Sequence, residues 1–129
     1  MHRRHLAAAL LVACPMTGPA WPSAASVALH CPADAGPQVA QLCEDLTEAL
    51  RRAGYQPAGG DAGLRIALAA HSPRPDTLIA RLTVEDRQGR REGELAELSV
   101  MDRPSIPRAR IRAFAGFLLQ QAGIAAPDR

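Results

Sequence analysis

The sequence contains no lysine and no asparagine, and aromatic residues make up only 3% of its 129 residues. All 15 basic residues are therefore arginines, and the core has to be built mainly from aliphatic side chains. Without lysine the chain lacks the phosphate-binding residue of a P-loop, and Gly59-Gly60 does not have the GxGxxG spacing of a dinucleotide site. We therefore predict neither a nucleotide-binding site nor a cofactor.

An excess of charge of either sign is also missing. The formal net charge is +2, and two of the arginines, Arg3 and Arg4, lie in a leader segment. Without them, 13 basic residues face 13 acidic ones. Such a domain lacks the positive potential that attracts phosphate backbones and anionic membranes, which argues against a nucleic-acid partner.

Long hydrophobic runs are absent too. The longest is Leu6 to Cys14, preceded by the basic segment Met1 to His5 and followed from Pro15 by small residues and prolines. These are the three zones of a secretory signal, and the run is far shorter than the roughly 20 residues of a transmembrane helix. We predict a signal peptide over 1–25, one domain over 26–123, a loose tail over 124–129, and a periplasmic or secreted location.

The sequence allows three alternative points at which the leader is cleaved. Small residues precede cleavage after Ala20 and after Ala25, as a signal peptidase requires. The third alternative is Leu11-Val12-Ala13-Cys14, which resembles the lipobox of bacterial lipoproteins. That resemblance implies an acylated Cys14, and the lipid would be the only contact with a membrane.

Cysteine is rare, with three in the chain. An exported protein keeps paired cysteines oxidised, so Cys31 and Cys43 predict a structural disulfide, with free buried thiols as the alternative. The CxxC spacing of redox-active pairs is absent.

Hydrophobic periodicity predicts the elements of the domain. In chain order they are a strand over 26–30, a helix over 37–53, strands over 64–69, 77–85 and 93–101, and a final helix over 106–122 capped by Ser105. His71 to Asp76 contains two prolines and is expected as a loop, and Asp86 to Arg90 as a polar hairpin loop. The predicted fold class is α+β, a two-layer sandwich of order β-α-β-β-β-α, with two helices on one face of a mostly antiparallel sheet.

Three segments resemble small bacterial envelope domains. They are Leu46 to Tyr55, where a helix ends in leucine, two arginines, glycine and an aromatic residue; the hairpin over Leu82 to Gly89; and the arginine-rich closing helix. Together they resemble the amino-terminal domain of the Tol-system propeller protein. The resemblance implies the α+β architecture of such domains and extends over most of the mature chain, without the propeller.

Residue types that bind metals or act as nucleophiles do not form a site in the sequence. His30, Cys31, Cys43 and His71 are zinc-ligand types, but adjacent His30 and Cys31 in a strand point to opposite faces, so we predict no metal site. His71-Ser72 has no nucleophile signature such as GxSxG around it, and we predict no catalytic residue.

Two groups of carboxylates flank the predicted hairpin loop. They are Glu85-Asp86 and Glu92-Glu94-Glu97, and paired acids can transfer protons. Solvated sheet edges carry such charges to discourage edge pairing, which is the interpretation we favour.

Arginines in the first turns of the last helix are the least expected feature. Arg108, Arg110 and Arg112 interact unfavourably with the positive end of the helix dipole there, unless a nearby acidic group compensates their charge. Asp102, Glu94 or Glu97 could supply that acidic group within the domain. The alternative is an acidic partner or an anionic lipid, and it makes the three arginines candidate partner-binding residues.

The sequence thus favours an exported, non-enzymatic envelope adaptor that binds an envelope protein. The alternative is a small periplasmic enzyme or enzyme inhibitor acting through the carboxylates or the segment His71 to Asp76. The oligomeric state is left open.

Overall fold

A computed structural model describes residues 25–124, and these form six strands and two helices. The elements are β1 (Ser26–His30), α1 (Pro37–Arg52), β2 (Gln56–Pro57), β3 (Leu64–Arg74), β4 (Thr77–Asp86), β5 (Gly89–Glu92), β6 (Ala96–Ser99) and α2 (Arg108–Gln121). Cys14 and the cleavage point at Ala20 lie outside the described residues, as does the tail after Ile124. None of the helices within 25–124 is long and apolar enough to cross a membrane.

One sheet contains all six strands, in the order β2-β1-β3-β4-β5, with β6 pairing the remaining part of β4. β1 runs parallel to β2 and β3, because α1 returns the chain to the starting end of the sheet. The other pairings are antiparallel. The predicted fold class, an α+β sandwich with a mostly antiparallel sheet and two helices, is confirmed.

The first helix begins and ends where its sequence predicts. Pro37 occupies the first turn, where its missing N–H costs nothing. At the other end Gly54 has φ 100°, its N–H donates to the Arg51 carbonyl, and the Tyr55 N–H donates to the Leu50 carbonyl, each at 3.0 Å. This pair of bonds is a Schellman motif, which glycine allows because it tolerates positive φ.

The two faces of the sheet differ. Alternate side chains of the central strands are buried beneath the helices, with α1 over β3 and α2 over β4 and β6. The buried set from the central strands is Ile66, Leu68, Leu78, Ala80, Leu82 and Val84. The side chains between them point to the opposite face, where no described helix lies.

The structure corrects the prediction for His71 to Asp76. β3 continues through Arg74, and only Pro75 and Asp76 form the turn. Pro73 is tolerated because the strand pairing shifts register between His71 and Arg74. Pro75 is tolerated because it lies in the turn. The tip is anchored, since the Pro75 carbonyl accepts bonds from the Ile106 N–H, at 3.2 Å, and from Gln38 Nε2.

The predicted strand over 93–101 is shorter in the structure, where it spans Ala96–Ser99 as β6, and an unpredicted strand, β5, precedes it. A two-residue turn at Arg87-Gln88 replaces the longer predicted loop, so that β5 already begins at Gly89. β5 and β6 then lie one after the other along β4, with residues 93–95 between them. β2, in a segment predicted as a loop, adds a short edge beside β1.

The final helix starts later than predicted. Pro107 is the residue before the helix, with φ −62° and ψ 144°, and no side chain caps it, so Ser105 is not the cap. Ile106 is buried and its N–H bonds to the β3–β4 turn, which keeps the chain extended up to Pro107. At the other end the Ile124 N–H donates to the Leu119 carbonyl at 3.0 Å.

Two glycines are expected to respond oppositely to alanine. A Cβ on Gly93 would lie 2.8 Å from the Leu82 carbonyl oxygen, which accepts the Gly93 N–H, whereas one on Gly116 in α2 meets nothing within 4 Å. Gly93→Ala should therefore lower the free energy of unfolding by about 1–3 kcal/mol through the clash. Gly116→Ala should raise it by about 0.5–1 kcal/mol, because alanine favours helix. Urea unfolding of both variants tests this, and an unaffected Gly93→Ala protein would contradict it.

Candidate functional site

The candidate site is the side of the sheet on which no helix of residues 25–124 lies, and we call it the open face. The register places its residues next to one another: Ala28 lies beside Arg65, His30 beside Ala67, Ala69 beside Arg81, and His71 beside Ile79. The members taken from β1, β3 and β4 are Ala28, His30, Arg65, Ala67, Ala69, His71, Ile79, Arg81, Thr83 and Glu85. Leu95 and Glu97 continue this face beside β4.

The middle of the open face is apolar and shallow. A depression of about 670 Å³ is lined there by Ala67, Ala69, Ile79 and Leu95, among others. Leu95 is 60% exposed, which is unusual for leucine. Because the alanine side chains project little from the sheet, a partner surface could approach the strands closely at the middle of the open face.

Charged and polar side chains surround this apolar middle. Arg81 Nη1 lies 3.5 Å from Glu92 Oε1, while Arg81 Nε is buried and has no hydrogen-bond partner among residues 25–124. Arg65 and Glu85, cross-strand neighbours, are both exposed at one end of the face. An apolar centre with a polar rim is the usual anatomy of a protein–protein interface.

The two histidines lie apart on this face. His30 is beside Ala67 and His71 is beside Ile79, at positions four residues apart along β3. Within the described part of the chain, no three His, Cys, Asp or Glu side chains come close enough to share a metal ion.

Cys31 and Cys43 form the predicted disulfide, with their Cα atoms 6.1 Å apart. The bridge joins the residue after β1 to the second turn of α1, and both cysteines pack against the core. It therefore ties the strand that borders the open face to the helix on the opposite side of the sheet.

Three of the carboxylates near the β4–β5 hairpin form ion pairs or hydrogen bonds with neighbouring residues. Asp86 Oδ2 lies 2.9 Å from Arg91 Nη1, and Asp86 Oδ1 accepts the Gln88 N–H at 2.8 Å. Glu92 pairs with Arg81 as described above, and Glu94 Oε2 accepts a 3.5 Å bond from Gln121 Nε2. These bonds link neighbouring elements instead of converging on a pocket.

The Arg91 guanidinium, with help from the Gln88 N–H, lowers the pKa of Asp86 below its ordinary value of 3.8. The ionised carboxylate therefore stabilises the hairpin above the pKa of the unfolded state, and this contribution disappears as pH falls through the lower folded pKa. NMR titration should place the Asp86 pKa below 3.8 and show an upward shift in Arg91→Gln. Arg90→Gln, in the neighbouring position, is the control and should leave the value unchanged; equal effects of both variants would refute the pairing.

Arg108, Arg110 and Arg112 are all exposed. Among the described residues none of them forms an ion pair with Asp102, Glu94 or Glu97. Their role in binding a partner stays a prediction.

Two apolar side chains of the predicted strand over 93–101, Leu95 and Met101, are 60% and 95% exposed and were not among the predicted site residues. The alternation of alanine with buried leucine and isoleucine in β3 was the available signal for a low, uncovered face.

Comparison with known proteins identifies the fold. No protein family and no curated protein matches this sequence. A crystal structure of a minor lipoprotein from Acinetobacter baumannii is similar, with a TM-score of 0.50 and 17% identity, over 76% of this chain and 91% of that chain. At this identity the likeness shows the fold alone, and the resemblance to the Tol-system propeller protein's amino-terminal domain stays a prediction.

Proposed function

We propose that this chain is an exported accessory protein of the bacterial envelope that acts by binding another envelope protein through its open face. The observation that carries the proposal is a sheet face that no helix of residues 25–124 covers, with Ala67, Ala69 and Ile79 at its middle and charged residues at its rim. A face of this kind costs solubility unless a partner covers it.

Three further observations support an envelope location. The leader has the zones of a secretory signal, and the lipobox-like segment ending at Cys14 offers a lipid anchor. The disulfide between Cys31 and Cys43 suits an oxidising compartment. The similar fold belongs to a protein described as a minor lipoprotein.

The proposed partner is a folded protein. Arg65, Arg81, Glu85 and Glu97 place both signs of charge around the apolar middle, so the face has no single-sign field for nucleic acid or an anionic membrane. A non-enzymatic role fits the bonds of Asp86, Glu92 and Glu94, which link neighbouring elements instead of converging on a pocket, and no observation on the described residues favours the enzyme or inhibitor hypothesis.

Site-specific photocrosslinking in living cells tests the proposal. A photoreactive residue at Ala69 should yield an adduct of one defined mass with an envelope protein, whereas one at Gln120, exposed on α2 behind the sheet, should not. A rim-preserving variant, Ala69→Arg, should abolish partner capture while Gln120→Arg retains it. If crosslinking at Ala69 gives no adduct, or if Ala69→Arg captures the partner normally, the open face is not the interface.

A further inference from the structure

The outer side of β6 is an unpaired sheet edge. β6 pairs with β4 on one side, and no strand within residues 25–124 pairs with the other. Backbone groups of an antiparallel strand point alternately to its two sides. The Val100 N–H donates to the Asp76 carbonyl at 3.0 Å, so Leu98 also bonds toward β4, while Glu97 and Ser99 direct their N–H and C=O groups outward.

The other two strands at the ends of the sheet carry features that discourage pairing. β2 has only two residues, one of which is Pro57, and β5 has three charged residues among its four. β6 has one charged residue, Glu97, and no proline. Since short length, proline and charge are the usual means of blocking an edge, β6 is the edge that is left able to pair.

Apolar side chains lie on both sides of this edge. On the open-face side Leu95, just before β6, is 60% exposed, and Met101, which follows the strand beside the start of α2, is 95% exposed. On the helix side Ala96, Leu98 and Val100 are only half-buried against the core. A strand added to β6 would cover both sets.

We infer that the added strand is β6 of a second copy of this chain, antiparallel to the first, with the two-fold axis at Leu98. Leu98 then faces Leu98 of the second copy, and Glu97 faces Ser99, whose outward backbone groups exchange two hydrogen bonds with it. In this register Leu95 comes opposite Met101 of the second copy, so the two exposed apolar residues that flank the strand are brought together. This self-complementary pattern is what a two-fold interface requires.

Neighbouring registers lack this match. An axis at Glu97 places two like charges directly opposite, which destabilises a strand pair. An axis at Ser99 places Leu95 opposite Arg103 and Glu97 opposite Met101. Of these three axes, the one at Leu98 sets apolar residues opposite one another both at the centre of the strand and beyond its two ends.

The same symmetry pairs opposite charges. α2 runs back along β6, because it begins after Pro107 and its Gln121 reaches Glu94. A two-fold axis at Leu98 therefore brings the arginine-bearing end of one α2, with Arg108 and Arg110, toward the end of the other copy that carries Glu94. The dimer thus gives these exposed arginines an acidic partner, and it does not depend on which protein the open face binds.

Sedimentation and cysteine crosslinking of the full chain test the dimer and its register. Sedimentation equilibrium should give twice the mass of one chain, falling to one on dilution. Leu98→Cys should form a covalent dimer on mild oxidation, because facing residues of a non-hydrogen-bonded pair have Cα atoms about 4.5 Å apart, within reach of a disulfide. Glu97→Cys and Ser99→Cys face other residues in this register and should not crosslink.

Charge substitutions provide an independent measurement. Met101→Arg should weaken association of the two copies by about tenfold, because it removes both Leu95–Met101 pairs. Ala69→Arg on the open face is the control. It should leave association unchanged and affect only capture of the proposed envelope partner. A monomer at every concentration overturns the inference, as does crosslinking at position 97 or 99 in place of 98.

Discussion

Removing the disulfide should lower the free energy of unfolding by about 3 kcal/mol, as expected for a bridge that closes a loop of about a dozen residues. Cys31 and Cys43 are separated by 12 residues in sequence, and their bridge links β1 to α1. The bridge restricts this loop in the unfolded chain, so a chain without the bridge gains more conformational entropy on unfolding than the oxidised chain does. The measurement is urea unfolding of the Cys31→Ala/Cys43→Ala protein beside the oxidised parent.

The single variants supply the control. Cys31→Ala and Cys43→Ala each break the same bond, so each should lose nearly as much stability as the double variant. The parent protein treated with a reductant should behave like them. Additive losses from the two singles would mean that the cysteines contribute by packing instead of by a shared bond.

Truncating one isoleucine on each face of the sheet should have very different effects. Ile66 in β3 is fully buried beneath the helices, whereas Ile79 in β4 is half-buried on the open face. Ile66→Ala should cost about 2–5 kcal/mol, the range for a buried aliphatic side chain that leaves a cavity. Ile79→Ala should cost much less, because water already reaches this position and no cavity forms.

The two variants make the same chemical change and are therefore matched controls for each other. Denaturant unfolding with unchanged slopes gives the two free energies directly. If Ile79→Ala were as destabilising as Ile66→Ala, the open face would be part of a second core, and its assignment as a binding face would be wrong.

Periodicity alone predicted the elements that form the core. The stripe containing Leu42, Leu46 and Leu50 gave α1 within one residue of its observed end, and the alternation over 77–85 gave the start of β4 and came within one residue of its end. Local pattern suffices in these elements because burial of one face determines which residues they need.

Features set by contacts between distant segments were not predictable from local pattern. The β3–β4 hairpin extends through a proline segment because Gln38 and Ile106 anchor its turn. Asp45 on α1 is a charged residue only 9% exposed, and its Oδ1 accepts a 3.0 Å bond from Gln41 Nε2. That both described helices lie on one side of the sheet was predicted, but the position of Leu95 beside the open face was not, because it depends on how β5 and β6 divide their pairing along β4.

Mass spectrometry of the protein recovered from fractionated cells tests the central claim that an oxidised domain matures outside the cytosol. The account predicts an envelope or periplasmic protein that has lost its leader, begins at acylated Cys14, Trp21 or Ser26, and contains a Cys31–Cys43 linked peptide. A chain found in the cytosol that still begins at Met1, with reduced cysteines, would contradict the account.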